Sequence, residues 1–260
     1  MVKADVEDYI QQRLTEVKDS SVANEIVLFK RIYTLHKDRL DIEKRPRLLQ
    51  KCQVMATVHP PVYDNTVERF CAMKEVQSIT DAITNIKNTK KRMMLDLFLT
   101  IALTTGLRPH NIQRLEWSEV DYIENAIVIP AAKMKGKRIC RIPLSKQAKE
   151  KLQAWRKAYT SISPYVFSHR SDIHKPHGDF GDAFKKIIKA AGVSDDVTLY
   201  VLTRHTFASH MLMQTGNLPA VSDQLQHTNI HITKKRYAKF DMSYKTEVLQ
   251  PYLNKINSSL

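Results

Sequence analysis

Two consecutive prolines, Pro60 and Pro61, limit how far any helix can extend along this chain of 260 residues. Each proline fixes its own backbone torsion and lacks an N–H donor, so a helix cannot continue through the pair. The stretch around them, residues 59–65, is therefore typical of a linker. We predict one domain on each side of it, at residues 1–62 and 63–260.

The residues before the prolines have the periodicity of α-helices. Apolar side chains recur every three or four positions from Asp5 to Val17, and again from about Ser20 to Leu35. This spacing places them on one face of a helix. A third helix is predicted from Ile42 to Met55, with Pro46 in its first turns, where proline is tolerated. The first domain is therefore expected to be small and helical.

The second domain is also predicted to be mostly helical. Its pattern favours four helical stretches, and the last is broken at Gly192, Gly216 and Pro219. The stretches are residues 73–87, residues 92–105, a helix capped by Ser145 that extends to about Ala158, and the residues from Asp179 almost to the end of the chain.

Short strands are predicted in the same domain. Ala126–Pro130 and Arg138–Pro143 have the composition of strands and flank a very basic turn, residues 133–137. Tyr165–Phe167 is a third predicted strand. We therefore expect a mainly α fold with a small antiparallel β-sheet, which is an α+β class.

A surplus of basic residues favours a polyanionic partner. The chain has 41 lysine and arginine residues against 27 aspartate and glutamate residues, and its net charge is +14. Nucleic acid is the usual partner for a surplus of this size. Charge of this kind also serves solubility, so it does not by itself decide the function.

Other features favour a cytoplasmic protein without membrane association. No apolar run approaches the roughly 20 residues needed to span a bilayer, and the N-terminus lacks the apolar stretch of a signal peptide. The three cysteines, Cys52, Cys71 and Cys140, are far apart and lack the spacing of metal ligands. They are typical of reduced thiols in a cytosolic protein.

Three sequence strings contain residues suited to phosphodiester chemistry. Such chemistry without a metal needs a nucleophile, cations against the phosphate oxygens and a proton donor for the leaving oxygen. Arginine suits the second role because its planar guanidinium grips two oxygens and stays charged. The strings are TTGLRPHNIQRLEW at 104–117, YVLTRHTFASHML at 200–212, and QLQHTNIHITKKRYAKF at 224–240.

Each string also has an ordinary structural explanation. Arg108 follows Gly106 at a predicted junction between two helices, where a solvated arginine is common. Arg204 by itself would be an arginine on a helix face. Tyr237 at helical spacing is by itself more typical of a core residue, and Tyr244 lies only seven residues further on.

Together the strings resemble the tyrosine recombinase (phage integrase) family, whose patterns TGxRxxE, HxLRHTFAS and LGHxxxxTxxxY occur in the same order. The resemblance covers nearly all of residues 74–260, and the helical front end resembles the core-binding domain of that family more weakly. It implies that Arg108 and Arg204 bind the scissile phosphate. It also implies that His227 hydrogen-bonds to the phosphate and that Tyr237 is the nucleophile.

The family also has a lysine on a β-hairpin, eight residues before a proline. Counting back from Pro143 gives Lys135, which the resemblance implies as the proton donor to the leaving 5′ oxygen. Lys133 and Lys137 flank it in the basic turn. The alternative is that all three lysines are solvated and contact the DNA backbone.

The chain departs from the family pattern at the position of one histidine. The histidine of HxxR should stand three residues before Arg204, where this chain has Val201. If Thr203 is an insertion, Tyr200 takes that place instead. Neither side chain exchanges protons near neutral pH as an imidazole does. His205 is adjacent, but in this pattern it is expected to face elsewhere.

Three smaller departures concern the same strings. Asn111 replaces a glutamate and Gln226 replaces a glycine. The interval from His227 to Tyr237 is ten residues, where nine is usual, and a loop must absorb the extra residue because one residue turns a helix by about 100°. These changes bear on the rate of the reaction.

A cluster of histidines raises the possibility of a metal site. His169, His174 and His177 lie close together in sequence, but no cysteine or carboxylate completes the set at a useful spacing. A loop is therefore favoured over a metal site.

The resemblance implies a clamp of two domains around double-stranded DNA and a homotetramer on paired DNA sites. Accessory DNA-bending or directionality proteins are further expected partners, and the cell would be bacterial or phage-infected, with the protein at the nucleoid. No metal or nucleotide cofactor is implied, because a 3′-phosphotyrosine conserves the bond energy. The apolar stripe after Phe240 suits a helix that packs on its own domain or on a neighbouring protomer.

Two other functions stay open at this stage. One is an integrase-derived DNA-binding protein with weak or no catalysis, which the missing histidine favours. The other is an enzyme similar to type IB topoisomerases, which would relax supercoils as a monomer and would not need paired sites.

Overall fold

The computed structural model describes residues 3–37, 53–63, 69–134, 137–159, 162–227 and 229–237. The chain divides into two compact units between residues 65 and 66. Within these described ranges no helix is long and apolar enough to cross a membrane.

In the part of the first unit that the structure describes, the regular structure is helical. Helix α1 is Lys3–Glu16, helix α2 is Asp19–Lys37, and residues 53–57 form a helical segment, α3. The two helices predicted first are confirmed, whereas residues 42–52 of the third prediction lie outside the described residues. Among its described residues, the buried apolar side chains that pack together are Val6, Ile10, Val22, Ile26, Met55 and Val58.

A buried helix forms the centre of the second unit. Helix α5, Thr89–Thr105, is apolar on several faces, as expected of a helix covered on all sides. The ring of its Phe98 stacks on Phe180 at 4.3 Å between centroids. The remaining helices are α4 Met73–Thr84, α6 Pro109–Gln113, α7 Lys146–Ala158, α8 Gly181–Ala190, α9 Thr206–Thr215, α10 Leu218–Gln224 and α11 at residues 230–237.

A three-stranded antiparallel sheet packs in the same core. Its order is β1 Val120–Asp121, β2 Ala126–Ile129 and β3 Cys140–Pro143, with Ile127 opposite Ile142. The prediction of a mainly α fold with a small antiparallel sheet is confirmed.

Two strand predictions were wrong in detail. Residues 165–167 form no strand, because Tyr165 makes only an isolated bridge to Glu116, outside the sheet. The third strand is instead β1, which a tight turn joins to β2. Strand β3 begins at Cys140, two residues later than predicted, and Lys137 before it has a positive φ of 48°.

The helix termini agree with most of the sequence signals. The hydroxyl of Ser145 accepts a hydrogen bond from the N–H of Ala148 at 3.1 Å, which confirms the predicted cap of α7. Gly216 ends α9 in a left-handed conformation. Pro219 was predicted to break a helix, but it lies in the first turn of α10, where its missing N–H costs nothing.

Two of the cysteines are free thiols in the core. Cys71 and Cys140 are fully buried, and burial raises the pKa of the Cys140 thiol to about 11. Cys52 lies outside the described residues, as do Tyr244 and the apolar stripe after Phe240.

Candidate active site

The turn between α5 and α6 presents the first arginine. Helix α5 ends at Gly106, which has a left-handed φ of 67°. A Cβ at this position would lie 2.3 Å from Cδ1 of Phe207, so only glycine fits. Arg108 is the N-cap residue of α6 and Pro109 follows it in the first turn, as predicted. Arg108 is half-buried at this helix terminus.

Arg204 connects this turn to a second loop. Its side chain is 2% exposed. Nη1 donates a hydrogen bond to the carbonyl of Gly106 at 2.7 Å, and Nη2 donates to the carbonyl of Leu225. Burial, and after it the positive charge of Arg108, lower the pKa of Arg204 to about 10. The guanidinium is therefore still protonated at neutral pH, as a buried cation fixed between two backbone carbonyls.

Arg204 lies in a π-helical turn, Val201–His205, that leads directly into α9. The N–H of Thr206 donates to the carbonyl of Val201, five residues earlier. A π-helical turn contains one residue more than an α-helical turn. The extra residue of the π-helical turn thus falls in the stretch where the sequence allowed Thr203 to be an insertion.

Tyr237 is the last described residue of α11, and its ring is buried. It is 1% exposed and packs among Ala208, Leu212 and other apolar side chains. Its hydroxyl lies 2.9 Å from Nδ1 of His205. Burial raises the pKa of the Tyr237 phenol, and burial together with the charge of Arg236 lowers the pKa of His205 to about 4.

The end of α10 fixes the position of His227. Gln226 has a left-handed φ of 54°, and its N–H donates to the carbonyl of Asp223 at 2.8 Å. The N–H of His227 donates to the carbonyl of Ser222 at 3.0 Å. These two bonds define a Schellman motif, in which the left-handed residue is usually glycine. The glycine that Gln226 replaces therefore has a conformational role.

His227 also contacts α11. Its Nδ1 lies 2.7 Å from Oγ1 of Thr233. The family pattern has four residues between the histidine and the threonine, whereas this chain has five, residues 228–232. The extra residue therefore falls before the threonine, and the four-residue step from Thr233 to Tyr237 is unchanged. Burial, and then the charge of Arg204, lower the pKa of His227 to about 4.

A cavity of about 290 Å³ opens beside these residues. Its lining is mostly polar and positively charged. The carbonyl of Arg108 accepts hydrogen bonds from the N–H groups of Asn111 and Ile112, but its guanidinium bonds to no residue that the structure describes and is available to an anion. The lining residues are Arg108, Met134, Arg138, Ile139, Arg141, Asp223, Gln226 and His227.

The basic hairpin turn supplies one lysine that is already paired. Nζ of Lys133 lies 2.6 Å from Oε1 of Glu116 and 2.9 Å from Oε1 of Glu119. Burial opposes its charge, but the bonds to Glu116 and Glu119 raise the pKa of Lys133 overall. Lys135 lies outside the described residues, so its role stays a prediction.

The histidine cluster has ordinary loop contacts. Nδ1 of His169 lies 3.1 Å from Oγ of Ser171, and the ring of His177 stacks on Phe180 at 4.4 Å. Across the described ranges no group of three or more histidine, cysteine or acidic residues could hold a metal ion.

Comparison with known proteins decides the family. Residues 69–243, which are more than half of the chain, match the sequence model of the phage integrase family. The chain belongs to this family. It is 27% identical over 178 residues to the tyrosine recombinase XerC of Xanthomonas axonopodis pv. citri, a match over 68% of this chain and 54% of that relative. It is 30% identical over 125 residues to the integrase of Shigella phage Sf6, over 48% of this chain and 32% of the relative.

The aligned part of this phage integrase family member thus spans about a third to a half of those relatives.

Solved structures agree with the fold. The crystal structure of XerA recombinase matches with a TM-score of 0.56 and 18% identity, over 96% of this chain and 90% of that one. A lambda integrase (75–356) dimer bound to a COC′ core site matches with a TM-score of 0.62 and 16% identity, over 89% and 81%.

The structure brings together four of the five residues that the family resemblance selected. Arg108, Arg204, His227 and Tyr237 come from three separate strings and lie near one another in the second unit, while Lys135 lies outside the described residues. His205 was expected to face elsewhere, but it contacts the Tyr237 hydroxyl. The signal in the sequence was the extra residue before Arg204, because one inserted residue turns the following side chains by about 100°.

Replacing Gln226 by glycine should stabilise this integrase family member. A left-handed backbone costs a residue with a Cβ roughly 1 kcal/mol relative to glycine. We expect Gln226→Gly to raise the thermal unfolding midpoint by about 1–4 °C. Gln226→Ala is the matched control, since it loses the side-chain bond to the Asp223 carbonyl but keeps the strain. An equal gain from both variants would show that backbone strain is not the cause.

Acid should destabilise the fold through His205. Its pKa is about 4 in the folded chain and about 6.5 when unfolded, so the unfolded state binds more protons between these values. Stability present at pH 7 is lost as the pH falls from about 6.5 towards 4, by about 2 kcal/mol at pH 5. We expect the drop in unfolding midpoint from pH 7 to pH 5 to shrink in His205→Asn. It should persist in His174→Asn, which changes an exposed histidine; equal drops in all three proteins would contradict the assignment.

Proposed function

We propose that this chain is a site-specific DNA strand transferase that cleaves and rejoins DNA through a 3′-phosphotyrosine at Tyr237. The observation that carries the proposal is the convergence of Arg108, His227 and Tyr237 around the buried guanidinium of Arg204. Arg204 donates to the loops that hold Arg108 and His227, and its charge also acts on Tyr237.

The positive charge of the site suits a phosphodiester. Arg108 and Arg204 stabilise the negative charge that develops on the non-bridging oxygens. Of these two arginines, Arg108 lines the cavity, and Arg204 is buried and bonded to the loops that hold Arg108 and His227. His227 donates a further hydrogen bond from Nε2, because its Nδ1 faces Thr233.

The chemical step is a direct displacement at phosphorus. The Tyr237 oxygen forms a bond to phosphorus while the bond from phosphorus to the 5′ oxygen breaks, and the tyrosine proton passes to a base. The 3′-phosphotyrosine keeps the energy of the phosphodiester bond, so a 5′ hydroxyl can reverse the step and rejoin a strand without a nucleotide cofactor.

Lys135 is the proton donor that we assign to the leaving 5′ oxygen. A flexible ammonium near phosphate can give up a proton. The ion pairs of Lys133 with Glu116 and Glu119 make Lys133 a structural residue of the turn. This difference between the neighbours supports the assignment to Lys135.

The substrate that we propose is double-stranded DNA. The net charge of +14 suits it, and the lambda integrase structure is a complex with a core site. Residues 1–62 would act as the core-binding domain and residues 63–260 as the catalytic domain. We further propose a homotetramer on paired sites in the bacterial cytoplasm, with accessory DNA-bending or directionality proteins as additional partners.

A DNA-binding protein without catalysis is the second candidate. Two observations favour it, since Val201 replaces a family histidine and the Tyr237 ring is 1% exposed. Catalysis requires the tyrosine to become accessible when DNA binds, whereas the second candidate does not.

Covalent trapping separates these two functions. Purified chain is mixed with labelled duplexes that span the junctions flanking its own gene, and the products are run on a denaturing gel. We expect a slow covalent band with the wild type and with Tyr244→Phe, the matched control, and none with Tyr237→Phe. Tyr237→Phe should bind the same duplexes in a gel shift. Binding by the wild type without a covalent band would support the second candidate instead.

Sulfur substitution tests the proton donor. Lys135→Ala should slow adduct formation on ordinary DNA by about 100-fold or more. It should have little effect where sulfur replaces the leaving 5′ oxygen, because a thiolate leaves without a proton. Lys133→Ala is the control, and any loss it causes should be the same on both DNAs. If sulfur rescues Lys133→Ala and not Lys135→Ala, the assignment is wrong.

A further inference from the structure

The hydroxyl of Tyr237 needs a proton acceptor before it can attack. Burial raises the pKa of this phenol above its usual value, so the group stays protonated at neutral pH. Val201, or Tyr200 if Thr203 is an insertion, stands where the family pattern has a histidine, and neither side chain exchanges a proton near neutral pH as an imidazole does. The acceptor must therefore be another group.

His205 is the hydrogen-bond partner of that hydroxyl among the described residues. The distance from Tyr237 Oη to His205 Nδ1 is 2.9 Å, which is normal for a hydrogen bond. A neutral imidazole whose Nδ1 carries no proton accepts a bond from the hydroxyl. Since His205 is 6% exposed, water does not compete freely for this contact.

The π-helical turn explains why His205 points at Tyr237. Consecutive residues of an α-helix diverge by about 100°. Here the wider turn ends at His205, and Arg204 and His205 are both buried. Arg204 reaches the two carbonyls and His205 reaches the tyrosine. The ring of Tyr200 packs edge-on against the His205 ring at 4.7 Å and holds its orientation.

We propose that His205 is the catalytic base that accepts the Tyr237 proton, in place of the histidine that this chain lacks at position 201. The inference rests on the proposed function. As the Tyr237 oxygen bonds to phosphorus, its proton moves to Nδ1 of His205 and the 5′ oxygen leaves with a proton from Lys135. In rejoining, the His205 imidazolium returns its proton to the departing tyrosine oxygen.

Several charged or titratable groups surround His205. Arg204 and Tyr200 lie on its own turn or just before it, His227 approaches from the loop after α10, and Arg236 and Tyr237 belong to α11. Burial, and after it the charges of Arg236 and Arg204, lowers the pKa of His205 and keeps its ring neutral before the proton moves. A bound phosphate brings negative charge, which favours the imidazolium once the proton has moved.

The test measures single-turnover adduct formation on the junction duplexes with the full chain. His205→Asn keeps a polar side chain but cannot act as a base. We expect it to form the adduct about 100- to 10,000-fold more slowly than the wild type. Its rate should rise with pH between about pH 6 and pH 9, as unassisted ionisation of Tyr237 requires, while the wild type levels off.

A more acidic phenol at position 237 distinguishes a base at His205 from a histidine that only supports the structure. Replacing Tyr237 with a difluorotyrosine lowers the phenol pKa, so it should speed His205→Asn by about tenfold or more and the wild type by less. His174→Asn, an exposed histidine outside the site, should keep the wild-type rate. DNA binding by gel shift should be equal in all these proteins.

The outcomes separate this inference from the proposed function. A wild type that binds the duplexes but forms no adduct overturns both. If the wild type forms the adduct and His205→Asn matches it within about threefold, the recombinase function stands and the assignment of His205 is overturned. A slow His205→Asn with a flat pH profile and no rescue by difluorotyrosine also overturns it.

Discussion

The hydrogen bonds from Arg204 to the carbonyls of Gly106 and Leu225 hold the candidate site together. Removing a guanidinium from water is costly, and the bonds to these two carbonyls offset that cost. Each carbonyl lies two residues before a predicted phosphate-binding residue, Arg108 after Gly106 and His227 after Leu225. Because a guanidinium has five N–H donors, Arg204 can hold both loops and still donate to a substrate oxygen.

Unusual backbone conformations concentrate around this guanidinium. Gly106 and Gln226 are both left-handed, and Val201–His205 is π-helical. Such conformations cost free energy and persist where the surrounding packing enforces them, most often at functional sites. Each of these conformations orients one side chain of the candidate site. Gly106 precedes Arg108, Gln226 precedes His227, and the π-helical turn ends at His205.

The sequence predicted the parts of this fold that depend on short-range patterns. Apolar periodicity located α1 and α5, and the Ser145 cap located the start of α7. The strand at residues 165–167 was wrong because an isolated bridge depends on a distant partner, Glu116, that local composition does not reveal. The contact between His205 and Tyr237 was missed for the same reason. It depends on how the π-helical turn orients His205, and the trace of that turn in the sequence was the extra residue before Arg204.

That π-helical turn has a consequence for how relatives of this chain are counted. An ungapped alignment places Val201 under the family histidine, so a survey of genomes that requires an imidazole in that column would set such chains aside as degenerate. An alignment that opens a one-residue gap at the turn places Tyr200 in that column instead, and His205 stays beside Arg204 in either alignment. The loss of the motif histidine and the presence of an imidazole elsewhere on the same turn are then distinguished by backbone geometry, so apparently decayed mobile elements can be sorted by structure as well as by residue identity.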